Sequence, residues 1–204
     1  MNASTPLSER PPVALIGIGI QGREVLLKEF ISRDVIVAAI CDCDRVRRED
    51  GVRRVNEYYG ARDELKSLVG TCKAVADFRD VIADPGIDAV CIATPDHWHA
   101  YIAVEAMKNG KDVYCEKPLT YNVDESVKVM KAQAKYDRVF QTGSMQRSWR
   151  EFRTAAMLVR NGVAGDIRFI DCNFGEGTDA PLLGGPSQPH RFFDDIRNAE
   201  KESA

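Results

Sequence analysis

Pro12-Val13-Ala14-Leu15-Ile16-Gly17-Ile18-Gly19-Ile20-Gln21-Gly22 is the stretch that decides the fold. A short apolar run bounded by a proline and a glycine suits a strand buried on both faces. Three glycines then punctuate a turn, and a helix is expected over 21–32 with Val25, Leu26 and Phe30 inward. The same alternation continues outward from this unit. Further strands are expected over 35–41, 73–76, 87–93, 111–115 and 139–142, and further helices over 44–59, 78–83, 97–109, 123–136 and 150–160. Gly60 and Gly110 stand where a helix ends. In the helix over 123–136, Val123, Val127, Met130 and Ala134 share one face at helical spacing and are expected inward, with Lys128, Lys131 and Lys135 on the other side. Regular alternation of strand and helix predicts an α/β fold class, a doubly wound parallel sheet with helices on both faces.

Composition narrows the function classes. The chain has 204 residues, a net charge of −3, 44% hydrophobic and 29% charged residues, as in an ordinary globular protein with no basic surface for nucleic acid. No apolar run approaches the roughly 20 residues that span a membrane. Residues 1–11 lack both a basic start and an apolar core and read as a flexible lead-in. Most of the six cysteines (Cys41, Cys43, Cys72, Cys91, Cys115 and Cys172) lie in apolar runs, where cysteine behaves as a small buried hydrophobe. They predict no disulfide framework, and so a reducing, cytoplasmic compartment.

The glycines carry the first functional signal. Gly17-Ile18-Gly19-Ile20-Gln21-Gly22 is a G-x-G-x-x-G turn between a strand and a helix, the Rossmann dinucleotide fingerprint. Gly17 permits the tight turn, Gly19 lets backbone approach a pyrophosphate, and Gly22 lets the helix pack close to the strand. The phosphates then meet the free N–H groups and positive dipole end of a helix. Asp42 ends the second strand 20 positions after Gly22, where a carboxylate accepts hydrogen bonds from the adenosine ribose hydroxyls; its bland alternative is a turn residue. A carboxylate there favours NAD. Arg45, Arg47 and Arg48 follow closely and leave NADP open as the alternative, unless they form a solvated helix face.

Three further segments fall at the C-terminal ends of expected strands, the edge of an open α/β sheet where ligands bind. They are Ala93-Thr94-Pro95-Asp96-His97-Trp98-His99, Cys115-Glu116-Lys117-Pro118, and Gln141-Thr142-Gly143-Ser144-Met145-Gln146-Arg147. His97 and His99 stand two apart with no third metal ligand nearby, so no metal is expected. Glu116-Lys117-Pro118 after a strand, preceded by Thr94-Pro95 and His99, resembles the Gfo/Idh/MocA oxidoreductases over roughly residues 12 to 174. The resemblance implies that Lys117 lies beside the nicotinamide and the reacting carbon–oxygen bond. There a lysine, aided by partial burial, orients a substrate hydroxyl and helps move its proton. It further implies that Glu116 helps hold the nicotinamide end, that Thr94, Pro95 and His99 line the cofactor cleft, and that the Lys117–Pro118 bond is cis. Ile20 and Gln21 join the glycines among the cofactor-binding residues, and Arg147 meets substrate or cofactor or else is a surface charge.

After about residue 163 the composition changes. A strand is expected over 167–174, followed by a loop rich in glycine and proline, and His190 does not match the family's catalytic histidine. The expected organisation is therefore a lead-in over 1–11, a dinucleotide-binding domain over 12–146, and over 147–204 the truncated start of an α+β substrate domain, the chain being a fragment, a truncated product, or one that completes its sheet in a homo-oligomer. The function implied is an NAD-dependent oxidoreductase passing a hydride between nicotinamide and a sugar or cyclitol. The alternatives are a dinucleotide-binding module without turnover and an NAD-dependent glycosidase.

Overall fold

The computed structural model describes residues 6–33 and 35–172. Strands β1 (Val13–Ile16), β2 (Val37–Cys41), β3 (Lys73–Val75), β4 (Ala89–Ile92), β5 (Asp112–Glu116) and β6 (Phe140–Gly143) form one sheet in the order β3-β2-β1-β4-β5-β6. Every pairing is parallel. The chain winds one way from β1 to β3 and the other way from β4 to β6, so the order reverses between β1 and β4. This is the doubly wound Rossmann arrangement, with a crevice at the reversal.

Each connection carries a helix. A π-helical stretch, Gln21–Leu27, runs into α1 (Lys28–Ser32), and α2 (Arg45–Gly60), α3 (Phe78–Ala83), α4 (Asp96–Lys108) and α5 (Val123–Tyr136) follow. The expected elements all stand, with ends moved by up to two residues, except the strand over 167–174 and the unbroken α-helix at 21–32. Ala14, Ile16, Val90, Ile92, Val113 and Cys115 bury on the side of α3, α4 and α5. Leu15, Ile40 and Cys91 bury on the other side with Leu26, Leu27, Val55 and Tyr59. Alternate strand residues thus feed opposite cores, as the two-residue period of a strand requires. Tyr59 of α2 is fully buried, and its hydroxyl accepts from Val37 N–H at 2.8 Å and donates to the Val35 carbonyl at 3.3 Å. That pins α2 to the start of β2.

The facing of α5 differs from the expectation. Val123, Val127 and Met130 are exposed, and the buried residues are Glu125, Val129 and Ala132. Glu125 is bound into the helix start: its carboxylate accepts from Tyr121 N–H at 2.8 Å and Asn122 Nδ2 at 3.2 Å, while Asn122 Oδ1 accepts from Glu125 N–H at 2.9 Å. These hydrogen bonds close the helix start, and it is Val129 and Ala132 that meet the core.

The described residues up to 154 belong to one compact unit and those from 155 to a second. Of the lead-in, residues 7–9 make a single 3-10 turn and Leu7 packs against the core that holds Leu15. Helix α6 (Arg150–Arg160) closes at Asn161-Gly162. Among the described residues none from 167 to 172 is in a strand, unlike the expectation; residues 173 and 174 lie outside the described residues. The loop expected beyond residue 174, and His190, lie outside the described residues.

Candidate functional site

The crevice at the β1/β4 reversal is built first by backbone. Beyond β1 the chain turns through Gly17 at φ +89°, where an added Cβ would lie 2.6 Å from the Ala93 carbonyl oxygen. The glycine turn is therefore pressed against the end of β4. At Gly22 an added Cβ would lie 2.2 Å from the Gly17 carbonyl oxygen, so only glycine lets this helix sit so close to the turn. Gly19, by contrast, has nothing within 4 Å of its Cβ position. The turn is closed on its protein side and open on its outer side, beside a helix N-terminus, which is the shape a pyrophosphate requires. The helix begins as seven residues of π-helix, an uncommon form that is frequent at functional sites.

Asp42 closes one end of this crevice. One carboxylate oxygen accepts from the Ile18 N–H of the glycine turn at 2.9 Å, and the other from Asp44 N–H at 2.8 Å. The carboxylate is thus held beside the turn in a fixed orientation. The nearby arginines are engaged elsewhere. Arg45 pairs with Glu49 at 3.3 Å, Arg47 with Asp44 at 3.6 Å, and Arg48 donates to the carbonyls of Asp42 and Cys43 at 3.1 and 3.2 Å. They form the charged helix face weighed above, and a ribose phosphate placed here would face the Asp42 carboxylate.

The other end of the crevice gathers residues from β4, β5 and β6. Thr94 follows β4, and its buried hydroxyl has no hydrogen-bond partner among the described residues. A buried polar atom without a partner at a ligand-binding edge fits a group supplied by a ligand. Pro95 precedes the first turn of α4 and is exposed. The His99 ring does not line the crevice. It is 1% exposed, with Nδ1 2.7 Å from the Pro118 carbonyl and Nε2 2.8 Å from the Thr94 carbonyl, so it ties the end of β4 to the turn after β5. The Lys117–Pro118 bond in that turn is cis. Lys117 is exposed, so the partial burial expected for it is absent.

Glu116 is buried, and its carboxylate is the centre of a cluster with no sequence signature. Oε1 accepts from Gln21 Nε2 at 3.1 Å and from the Tyr114 hydroxyl at 3.4 Å, and Oε2 accepts from Lys117 N–H at 3.1 Å. Gln21 Nε2 also lies 3.6 Å from Met145 Sδ. Burial, and then the Glu116 charge, push the Tyr114 hydroxyl well up, so it keeps its proton and donates. Arg147 is exposed on the 3-10 turn Met145–Ser148. Among the described residues no group of three His, Cys, Asp or Glu side chains could hold a metal ion. Tyr114 and Met145 were not anticipated from sequence, since only the folded sheet brings them to Glu116.

A family model described as "Oxidoreductase family, NAD-binding Rossmann fold" (Gfo/Idh/MocA) matches residues 12–144, more than half the chain. The chain belongs to the Gfo/Idh/MocA family. Its NAD-binding Rossmann fold is the sheet and glycine turn described above. Inositol 2-dehydrogenase of Rhodococcus jostii is 30% identical over 162 residues, covering 78% of this chain and 40% of its own length. Myo-inositol 2-dehydrogenase of Thermotoga maritima is 30% identical over 170 residues, covering 83% of this chain and 47% of its own length. Among solved structures, myo-inositol 2-dehydrogenase from Lactobacillus plantarum superposes with a TM-score of 0.64 at 28% identity, over 78% of this chain and 43% of that one. Scyllo-inositol dehydrogenase from Lactobacillus casei, solved with bound NAD(H) and scyllo-inositol, shares the fold at a TM-score of 0.65 and 22% identity, over 78% of this chain and 43% of its own. The chain thus spans less than half the length of these Gfo/Idh/MocA relatives.

Proposed function

We propose that this chain is the dinucleotide-binding part of an NAD-dependent dehydrogenase that acts on a secondary hydroxyl of a cyclitol or sugar. The observation that carries the proposal is the placement of Lys117. It is exposed at the C-terminal end of β5, directly after the buried Glu116 and one strand from the reversal between β1 and β4. The names of the inositol dehydrogenase relatives support the substrate class.

Asp42 would accept hydrogen bonds from the adenosine ribose, the glycine turn and helix N-terminus would hold the pyrophosphate, and the Thr94 hydroxyl would donate to the bound ligand. When bound, the dinucleotide supplies the hydride acceptor. Lys117 would orient the substrate hydroxyl and, as the neutral amine, accept its proton as the carbon is oxidised. Residues 12–146 are proposed as the dinucleotide-binding domain and those from 147 onward as the start of a substrate domain.

Calorimetric titration of the chain with NADH and with NADPH tests the first half of this reading. Saturable binding that favours NADH is expected, and Asp42→Ala should remove the preference. No heat from either at about a millimolar, a Kd corresponding to about −4 kcal/mol, would refute it. A protein extended to the length of the relatives tests the second half. Lys117→Met should keep NADH binding while NAD-linked oxidation of myo-inositol falls by about 100-fold or more.

A further inference from the structure

We propose that Gln21 is a positioning residue that fixes the Glu116 carboxylate for the nicotinamide half of the dinucleotide. The inference rests on the dinucleotide site described above and adds a coupling between its two ends. Gln21 leaves the glycine turn at the end of β1, yet its amide reaches Glu116 at the end of β5. Strand β4 lies between β1 and β5, which are about two strand spacings apart, roughly 10 Å. The glycine turn and the helix start carry Gln21 away from β1, so that its amide and the Glu116 carboxylate meet at 3.1 Å.

The carboxylate has few other places to go. Glu116 is 3% exposed. Behind it runs the backbone of Gly143, where an added Cβ would lie 2.9 Å from Glu116 Cα and 3.0 Å from its Cδ. Oε2 is held by Lys117 N–H, which leaves Oε1 to be oriented by Gln21 and, at longer range, Tyr114. A primary amide is a neutral donor, so it satisfies the carboxylate without adding charge to a crevice that must accept phosphates. Because Glu116 directly precedes Lys117, the bridge also fixes the backbone from which the lysine projects.

ADP-ribose, which lacks the nicotinamide, separates this role from a general one. Calorimetry on the full chain would compare NAD+ with ADP-ribose for wild type, Gln21→Ala and Gln21→Glu. In Gln21→Ala, affinity for NAD+ should fall about tenfold, the effect of losing one hydrogen bond to a charged group, while ADP-ribose binds within about twofold of wild type. In Gln21→Glu, the introduced carboxylate faces Glu116. NAD+ affinity should be low at about pH 8 and recover toward wild type as pH falls to about 5, when the pair can share a proton. The other titratable groups around Glu116 are Tyr114 and Cys115 of β5 and Cys91 of β4, all pushed up by burial, together with the exposed Lys117 ammonium; none of these gives a response confined to this variant. Equal losses for both ligands, unchanged NAD+ affinity in Gln21→Ala, or no pH-dependent recovery in Gln21→Glu would overturn the proposal while leaving the dinucleotide site intact. A wild-type chain that binds neither ligand would overturn both.

Discussion

Replacing His99 with leucine exchanges a buried ring for an apolar side chain of similar size and removes the link between Thr94 and Pro118. The ring is 1% exposed and both nitrogens lie within 2.8 Å of backbone carbonyl oxygens. Carbonyls accept only, so leucine leaves the one that takes the ring N–H without its donor, at a depth water does not readily reach. An unsatisfied buried acceptor costs about 1–3 kcal/mol, and a neutral imidazole donates to only one of the two at a time. A net loss of about 2 kcal/mol is therefore expected, a fall of roughly 4–8 °C in Tm for a domain of this size. Circular dichroism melts of wild type and His99→Leu measure it directly, and urea titration should show a lower midpoint with an unchanged slope. Because the carbonyls belong to the segments carrying Thr94 and Lys117, NADH affinity measured well below the melting range should fall several-fold as well. A Tm within about 1 °C of wild type would show that the carbonyls find other partners and that the ring is not the tie described here.

Two further outcomes follow from surface and core chemistry. The hydrogen bond from Lys28 is the largest cause that holds the Glu24 carboxyl down to about 2 from an ordinary 4.5. A depressed carboxylate stabilises the fold above its unfolded value and loses that effect as pH falls. The Tm difference between wild type and Glu24→Gln should thus be constant above about pH 5 and close toward pH 2, with 1 M salt reducing it throughout; a difference independent of pH would refute the pairing. Burial pushes the thiols of Cys41, Cys72 and Cys115 up to about 12 and that of Cys91 well above its ordinary value, while Cys43 and Cys172 are exposed. At pH 8 an aromatic disulfide reagent should react rapidly with those two thiols alone, and with all six after denaturation; a third fast thiol in the native chain would contradict the burial assigned here.

The sequence by itself determined the sheet and the cofactor turn, because their signals are local. Apolar runs of strand length, glycines at fixed offsets and an acid 20 positions beyond Gly22 all act within one βαβ unit, where backbone sterics leave little choice. What the tertiary structure alone decided is how side chains distant in sequence meet. Periodicity placed Val123, Val127, Met130 and Ala134 of α5 on one face but could not say which way that face points. The answer came from which residues meet the core, Val129 and Ala132. His99 read as a cleft-lining residue, yet packing buried it between two carbonyls. Lys117 read as partly buried, and the turn after β5 left it exposed. Gln21 and Glu116 are 95 positions apart, and their hydrogen bond exists only because β4 and β5 add to β1 in that order. Local patterns set each element. Which polar groups satisfy one another follows from strand order and helix rotation, which no short window of sequence contains.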